Sequence, residues 1–311
     1  MTHSLQGLYV PLITPFTAEG EVAPGALEKL AHAVIDAGAA GLVALGTTGE
    51  PATLTAAERR AVMDVCARVC RERDVTLIAG TGSNDTAGTA RALRELAVWP
   101  EVSAALTVVP YYTRPSQDGV IAHFAQLAAD SPVPIIVYNI PYRTGTSLSR
   151  HTLAELARMP GVAGVKHAVG GIDQDTVLMM ADSPACFAVL AGDDVFASPL
   201  LALGAAGGIL AAAHLGTREF AALIAAWRDG KAAQARDLGH RLAPLSAALF
   251  AEPNPAVIKG VLHAQGKIPS PALRLPMLPA ADETVRAAMG LLDGLGSDPA
   301  PPAGRAAAVT R

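Results

Sequence analysis

The sequence predicts an α/β fold: a closed barrel of eight parallel strands and eight helices, followed by a helical appendage. Three observations predict it. Short β-type runs alternate with longer helical patterns between residues 8 and 229. Gly-rich and polar segments follow the carboxyl ends of most of the runs, where a barrel of this kind collects its chemistry. The strand pattern then ceases after residue 230. An open doubly wound sheet is the competing arrangement, and the even repeat of eight favours closure.

The expected strands are 8–14, 41–45, 76–79, 104–109, 134–138, 162–166, 187–191 and 208–211. Helices are expected near 24–37, 55–72, 86–97, 117–129, 149–158, 173–181, 194–203 and 216–229. In chain order, Pro24 suits a first helical turn, and Gly38 marks the stop that follows. Thr55 precedes Glu58 by three residues, the spacing of a capping box. Pro100 and Pro160 end the third and fifth helices, Ser149 opens the fifth, and Gly204 closes the seventh. The barrel is expected over 1–230 and a helical region over 231–295, with helices at 231–249, 254–265 and 281–294. Residues 296–311, rich in Ala, Pro and Gly, read as a mobile tail.

Composition narrows the classes. The chain has 311 residues, 51% hydrophobic and 17% charged, enough to bury a large core. A net charge of −4 without a basic run argues against nucleic acid as a partner. No apolar stretch reaches the length of a membrane span without a Gly, Pro or charge, and the N-terminus lacks the pattern of a signal peptide. Cys66, Cys70 and Cys186 read as small core residues in a reducing cytoplasm. The expected location is therefore cytoplasmic.

Lys166 carries the most information. It ends the apolar run Gly161-Val-Ala-Gly-Val-Lys166 and is the only lysine between residues 30 and 230. Burial lowers the pKa of an ammonium, and a neutral amine attacks carbonyl carbon. A Schiff-base lysine at a barrel mouth is one reading; a lysine snorkelling from a strand end with an ion-pair partner is the other. The neighbouring loops supply matching chemistry. Gly46-Thr-Thr-Gly-Glu50 offers backbone amides beside hydroxyls, fit to hold a carboxylate or phosphate, or to make an ordinary turn. Tyr138, one strand from Lys166, could shuttle protons or be a core tyrosine. Arg143 follows a proline-stiffened turn and could grip a carboxylate, or be a surface arginine. Tyr111 and Tyr112 fit packing or an interface. His167, His214, Asp193 and Asp194 lack a recognisable metal-ligand spacing, so no metal is expected.

Together, Gly46-Thr-Thr-Gly-Glu50, Pro110-Tyr-Tyr-Thr-Arg-Pro115, Tyr138-Asn-Ile-Pro141, Gly164-Val-Lys166 and Gly192-Asp-Asp194 resemble the dihydrodipicolinate synthase and N-acetylneuraminate lyase family. The resemblance runs from about residue 5 to about residue 290. It implies a (β/α)8 TIM barrel acting as a class I pyruvate-dependent aldolase or lyase, without a cofactor. Arg143-Thr-Gly145, Glu252-Pro-Asn-Pro255 and Leu273-Arg-Leu-Pro276 are similar to the synthase branch, which condenses pyruvate with aspartate semialdehyde on the route to diaminopimelate and lysine. By that resemblance Lys166 condenses with pyruvate. Tyr138, Thr47 and Tyr112 form a proton relay, with Tyr112 reaching a neighbouring subunit's site. Thr48 holds the pyruvate carboxylate, Arg143 holds the aldehyde substrate, and Gly192 and Ile209 line the pocket. The implied assembly is a homotetramer, a dimer of dimers.

Departures accompany the likeness. His167 stands where synthases usually have an acidic residue, and Tyr142 stands where a smaller one is common. Both bear on the second substrate, so an enzyme acting on a sugar-derived 2-keto acid is the alternative. A metal-dependent aldolase and a catalytically idle keto-acid-binding barrel rank below these. Ala56 and Gly88 replace the histidine and glutamate of a common lysine-inhibition site, while Asn84 and Tyr111 remain. Weak or absent lysine feedback is expected.

Overall fold

The computed structural model describes residues 5–295, so the expected tail 296–311 lies outside the described residues. The strands are β1 (Gly7–Pro11), β2 (Gly41–Ala44), β3 (Thr76–Thr81), β4 (Val102–Val108), β5 (Ile135–Asn139), β6 (Val162–His167), β7 (Ala188–Ala191) and β8 (Gly207–Ile209). All neighbours are parallel, and the order β1 to β8 closes on itself. The helices are α1 (Pro24–Asp36), α2 (Ala56–Arg73), α3 (Thr86–Glu95), α4 (Gln117–Asp130), a one-turn α5 (Pro141–Thr144), α6 (Arg150–Arg158), α7 (Gln174–Asp182), α8 (Ala197–Ala202), α9 (Thr217–Arg228), α10 (Ala232–Leu249), α11 (Ala256–Ala264) and α12 (Asp282–Leu295). The expected barrel with a C-terminal helical region is what forms.

Side chains alternate between the two faces of each strand. On β5, Ile135 and Val137 join the outer core under the helices, while Ile136 and Tyr138 join the barrel interior with Tyr9, Val43, Ile78 and Leu190. Closure at the seam depends on a missing side chain. A Cβ on Gly207 would lie 2.0 Å from the Gly7 carbonyl oxygen.

The caps behave as their sequences dictate. Thr55 and Glu58 form the reciprocal capping box, Ser149 accepts from the Thr152 amide, and Pro24 enters α1 in its first turn. Some boundaries differ. β1 ends at Pro11 rather than 14, because the Ile13 amide leaves the ladder to donate to His214 Nε2 at 3.1 Å. β3 runs on to Thr81, where its hydroxyl meets that of Thr107 across β4 at 2.9 Å. The segment expected as helix 194–203 opens as a 3-10 turn, so α8 is shorter. α5, which was not expected, is the single turn that carries Tyr142 and Arg143.

The segment after α9 folds back over the barrel. α10 packs on α9, and α12 on α10 and α11. Arg274 ties this region down: its guanidinium pairs with Glu58 and donates to the carbonyls of Gly20 and Thr53.

Candidate active site

Strand register sets the site. Tyr138 on β5 and Lys166 on β6 are partners in the ladder, so both point into the barrel at its carboxyl end. Lys166 is 6% exposed, and its Nζ lies 4.4 Å from the centroid of the Tyr138 ring. Burial pulls the ammonium well below the ordinary lysine range, while the nearby Asp194 carboxylate acts in the opposite sense. Asp194 is itself 5% exposed. Burial raises its carboxyl, against the hydrogen bond it accepts from the Ala212 amide at 2.6 Å. Among the described residues no carboxylate pairs directly with Lys166, so the snorkelling alternative with an ion-pair partner is not what this side chain does.

Lys166 lines a small inner pocket of about 20 Å³ with Thr47, Thr48, Tyr138, Gly192 and Asn254. An outer cleft of about 400 Å³ shares Tyr142, Arg143, Asp194, Phe250 and Asn254 with it. Burial raises the Tyr138 hydroxyl so that it stays protonated, with Arg143 and a hydrogen bond to Thr47 opposing that shift. Gly192 makes room for the lysine stem. A Cβ there would sit 2.9 Å from Lys166 Cγ and 2.9 Å from Ala168 Cβ.

The turn after β2 presents its hydroxyls by unusual backbone. Thr47–Gly49 forms one 3-10 turn, bracketed by Leu45 at φ 55 and Glu50 at φ 54. Thr14 donates to the Gly49 carbonyl at 2.7 Å. The Asn254 amide, from the loop between α10 and α11, donates to Thr48 Oγ1 at 3.0 Å.

Of the expected site residues, Lys166, Tyr138, Thr47, Thr48, Arg143 and Gly192 converge on the inner pocket. Ile209 is fully buried in the barrel interior and is not among the residues lining either cavity. Tyr112 is 87% exposed at φ 68 and likewise lines neither. Arg143 and Tyr142 stack, with the guanidinium carbon 5.3 Å from the ring centroid. His167 alternates away from the pocket toward α7, donating or accepting at Thr176 Oγ1 at 3.0 Å. Thr176 Oγ1 donates to Asp173, so His167 Nε2 is the donor in that pair. Burial lowers the His167 imidazole to about 4. His214 donates from Nδ1 to the Ala211 carbonyl and accepts at Nε2 from Ile13, which leaves it no lone pair for a metal. Sequence reasoning gave no role to Asn254, Phe250 or Lys259, although the segment Glu252-Pro-Asn-Pro255 was conspicuous.

This arrangement can form and protect an imine. It offers a desolvated amine, a protonated phenol, paired hydroxyls beside turn amides, and an arginine at the mouth. Comparisons with known proteins point the same way. The profile of the Dihydrodipicolinate synthetase family matches residues 4–293. A 4-hydroxy-tetrahydrodipicolinate synthase of Neisseria meningitidis is 40% identical over 288 residues, covering 92% of this chain and 98% of that protein. The chloride-inhibited dihydrodipicolinate synthase of Acinetobacter baumannii, solved with pyruvate, superposes with a TM-score of 0.89 at 34% identity, covering 94% of this chain and 99% of that one. The 4-hydroxy-tetrahydrodipicolinate synthase of Methylacidiphilum fumariolicum gives a TM-score of 0.88 at 34% identity, covering 93% and 95%.

Proposed function

The chain belongs to the dihydrodipicolinate synthetase family, and from that premise we propose that it is a lyase condensing pyruvate with aspartate semialdehyde through an imine on Lys166. The observation that carries the reading is a buried lysine with no direct ion-pair partner among the described residues, lying beside Tyr138 in a pocket that also holds Thr47 and Thr48.

The neutral Lys166 amine adds to C2 of pyruvate, and the carbinolamine loses water to give an iminium. Tyr138 protonates the departing oxygen and is reprotonated through Thr47, the hydroxyl bonded to it. Thr48 and the turn amides hold the pyruvate carboxylate. The iminium nitrogen draws electrons from the methyl carbon, which loses a proton and becomes an enamine. That carbon attacks the aldehyde carbon of the second substrate, whose carboxylate Arg143 binds. The substrate's own amine then attacks the imine carbon and displaces Lys166, closing the ring. Water is the only other product, and no electron acceptor is needed. Gly192 gives the lysine stem its room, and Ile209 joins Tyr138 in the apolar barrel interior.

Tyr112, exposed on this chain, completes the relay of a neighbouring subunit in a homotetramer. Light scattering of the purified protein tests the assembly. Among the described residues no helix is long and apolar enough to cross a membrane, and a cytoplasmic location fits the substrates proposed. With Ala56 and Gly88 at the positions noted above, L-lysine inhibits weakly or not at all; strong inhibition at low millimolar lysine contradicts this.

The test of the activity is a panel of aldehydes and 2-keto acids with the purified protein, following pyruvate consumed or released. Aspartate semialdehyde should be the preferred partner. Turnover of sugar-derived 2-keto acids in preference to it would assign the pocket at Tyr142 and Arg143 to another substrate.

A further inference from the structure

Lys259 is the second buried lysine, and the reaction above gives it no task. It is fully buried on α11, where its ammonium pairs with Glu50, donates to the Ala272 carbonyl at 3.0 Å, and lies 4.0 Å from the centroid of the Phe16 ring. The other Glu50 oxygen accepts from the Arg274 amide at 3.2 Å. Glu50 is the residue in left-handed backbone that closes the Thr47–Gly49 turn, a conformation unfavourable for a side chain with a Cβ unless its surroundings hold it.

We propose that the Glu50–Lys259 pair positions the Thr47–Thr48 turn for pyruvate, so that the C-terminal helical region holds the pyruvate end of the pocket in register with Lys166. Both carboxylate oxygens of Glu50 are engaged by residues from beyond position 255, which fixes its side chain and therefore its backbone. Two smaller pegs act on the same turn, from Thr14 to the Gly49 carbonyl and from Asn254 to Thr48. The pair touches no reacting atom; it acts through the turn it holds. This inference rests on the reading of Lys166 as the pyruvate lysine.

The test is a double variant, Glu50→Gln with Lys259→Met, which removes both charges together and leaves neither buried alone. Borohydride trapping at graded pyruvate gives the concentration for half-maximal adduct and the rate at saturation, per folded molecule. The half-saturating pyruvate should rise about tenfold, and adduct formation at saturation should slow, as displacement of a positioned group by a fraction of an ångström does. A merely structural pair would lower the melting temperature and leave that saturation curve where it is, and this result overturns the proposal. If the double variant does not fold, Glu50→Asp takes its place, since the shorter carboxylate cannot hold both Lys259 and the Arg274 amide without moving the turn. It should raise half-saturating pyruvate about threefold, and an unchanged value again overturns the proposal. The unaltered enzyme is the control. If it forms no adduct with pyruvate, the assignment of Lys166 fails first; if it does and the variants match it, only the positioning role fails.

Discussion

Lys166 and Lys259 are both buried, both lie over an aromatic ring, and both have their ammonium pulled below the ordinary lysine range by burial. They differ in their partners. Lys259 has a carboxylate and a carbonyl in direct contact and lines neither the inner pocket nor the outer cleft. Lys166 feels Asp194 only at a distance and lines a pocket. A charge that is paired in the interior is a fastener; one left unpaired beside a cavity is a reagent, because the neutral form is within reach and a substrate can approach it.

Substituting each lysine by methionine should separate the two roles. Lys166→Met should abolish adduct formation and lower turnover by about 10³-fold or more, as loss of a covalent nucleophile does. Its stability to urea should hold or increase, since burial of the ammonium is relieved and no carboxylate among the described residues bonds to it directly. Lys259→Met should do the reverse in stability. It leaves the Glu50 carboxylate buried and unpaired, at a cost of about 3–5 kcal/mol read from urea unfolding. If Lys166→Met is the more destabilised of the two, the contrast is wrong.

Gly192→Ala tests how closely the reagent lysine is aimed. The added methyl meets Lys166 Cγ and Ala168 Cβ, each at 2.9 Å, so the stem must move. Turnover should fall about 10- to 100-fold with little change in melting temperature. Asp194→Asn tests the electrostatics. Asp194 favours the ammonium form of Lys166, so its neutralisation lowers that lysine further. The amine is reactive only when deprotonated, so activity falls as pH drops through its shifted pKa. The acid limb of kcat/KM for pyruvate should therefore move to lower pH in Asp194→Asn; a move to higher pH contradicts the assignment. The smallest effect concerns the fastening region. The Arg274 guanidinium holds Glu58 down at about 2. That stabilisation is present above the ordinary glutamate range and is lost as pH falls toward 2. Arg274→Met should remove about 1–3 kcal/mol at neutral pH, and proportionally less in acid.

The reagent half of this contrast was legible in the sequence and the fastening half was not. Strand alternation and the polar groups at strand ends pointed to Lys166, Tyr138, Thr47 and Arg143, because each lies at the carboxyl end of a strand or in the loop that follows it. The Glu50–Lys259 pair joins residues 209 apart, and the Asn254–Thr48 contact joins residues 206 apart. No local pattern encodes which side chains meet across such distances. Residue type misled in the same way at β1, where the apolar run continues to Ile13 but tertiary contact with His214 takes the amide out of the ladder. The roles of Tyr112 and Ile209 came from family likeness alone. Neither lines the cavities of the single chain. The concern over His167 dissolves with geometry, since alternation turns it toward Thr176 and away from the pocket.

The most direct measurement is to reduce the protein with borohydride in the presence of pyruvate and to map the modified residue by peptide mass. The account predicts one stable adduct per chain, on Lys166, and none in Lys166→Met. Modification of Lys259 or any other residue instead, or no adduct at all, would contradict it.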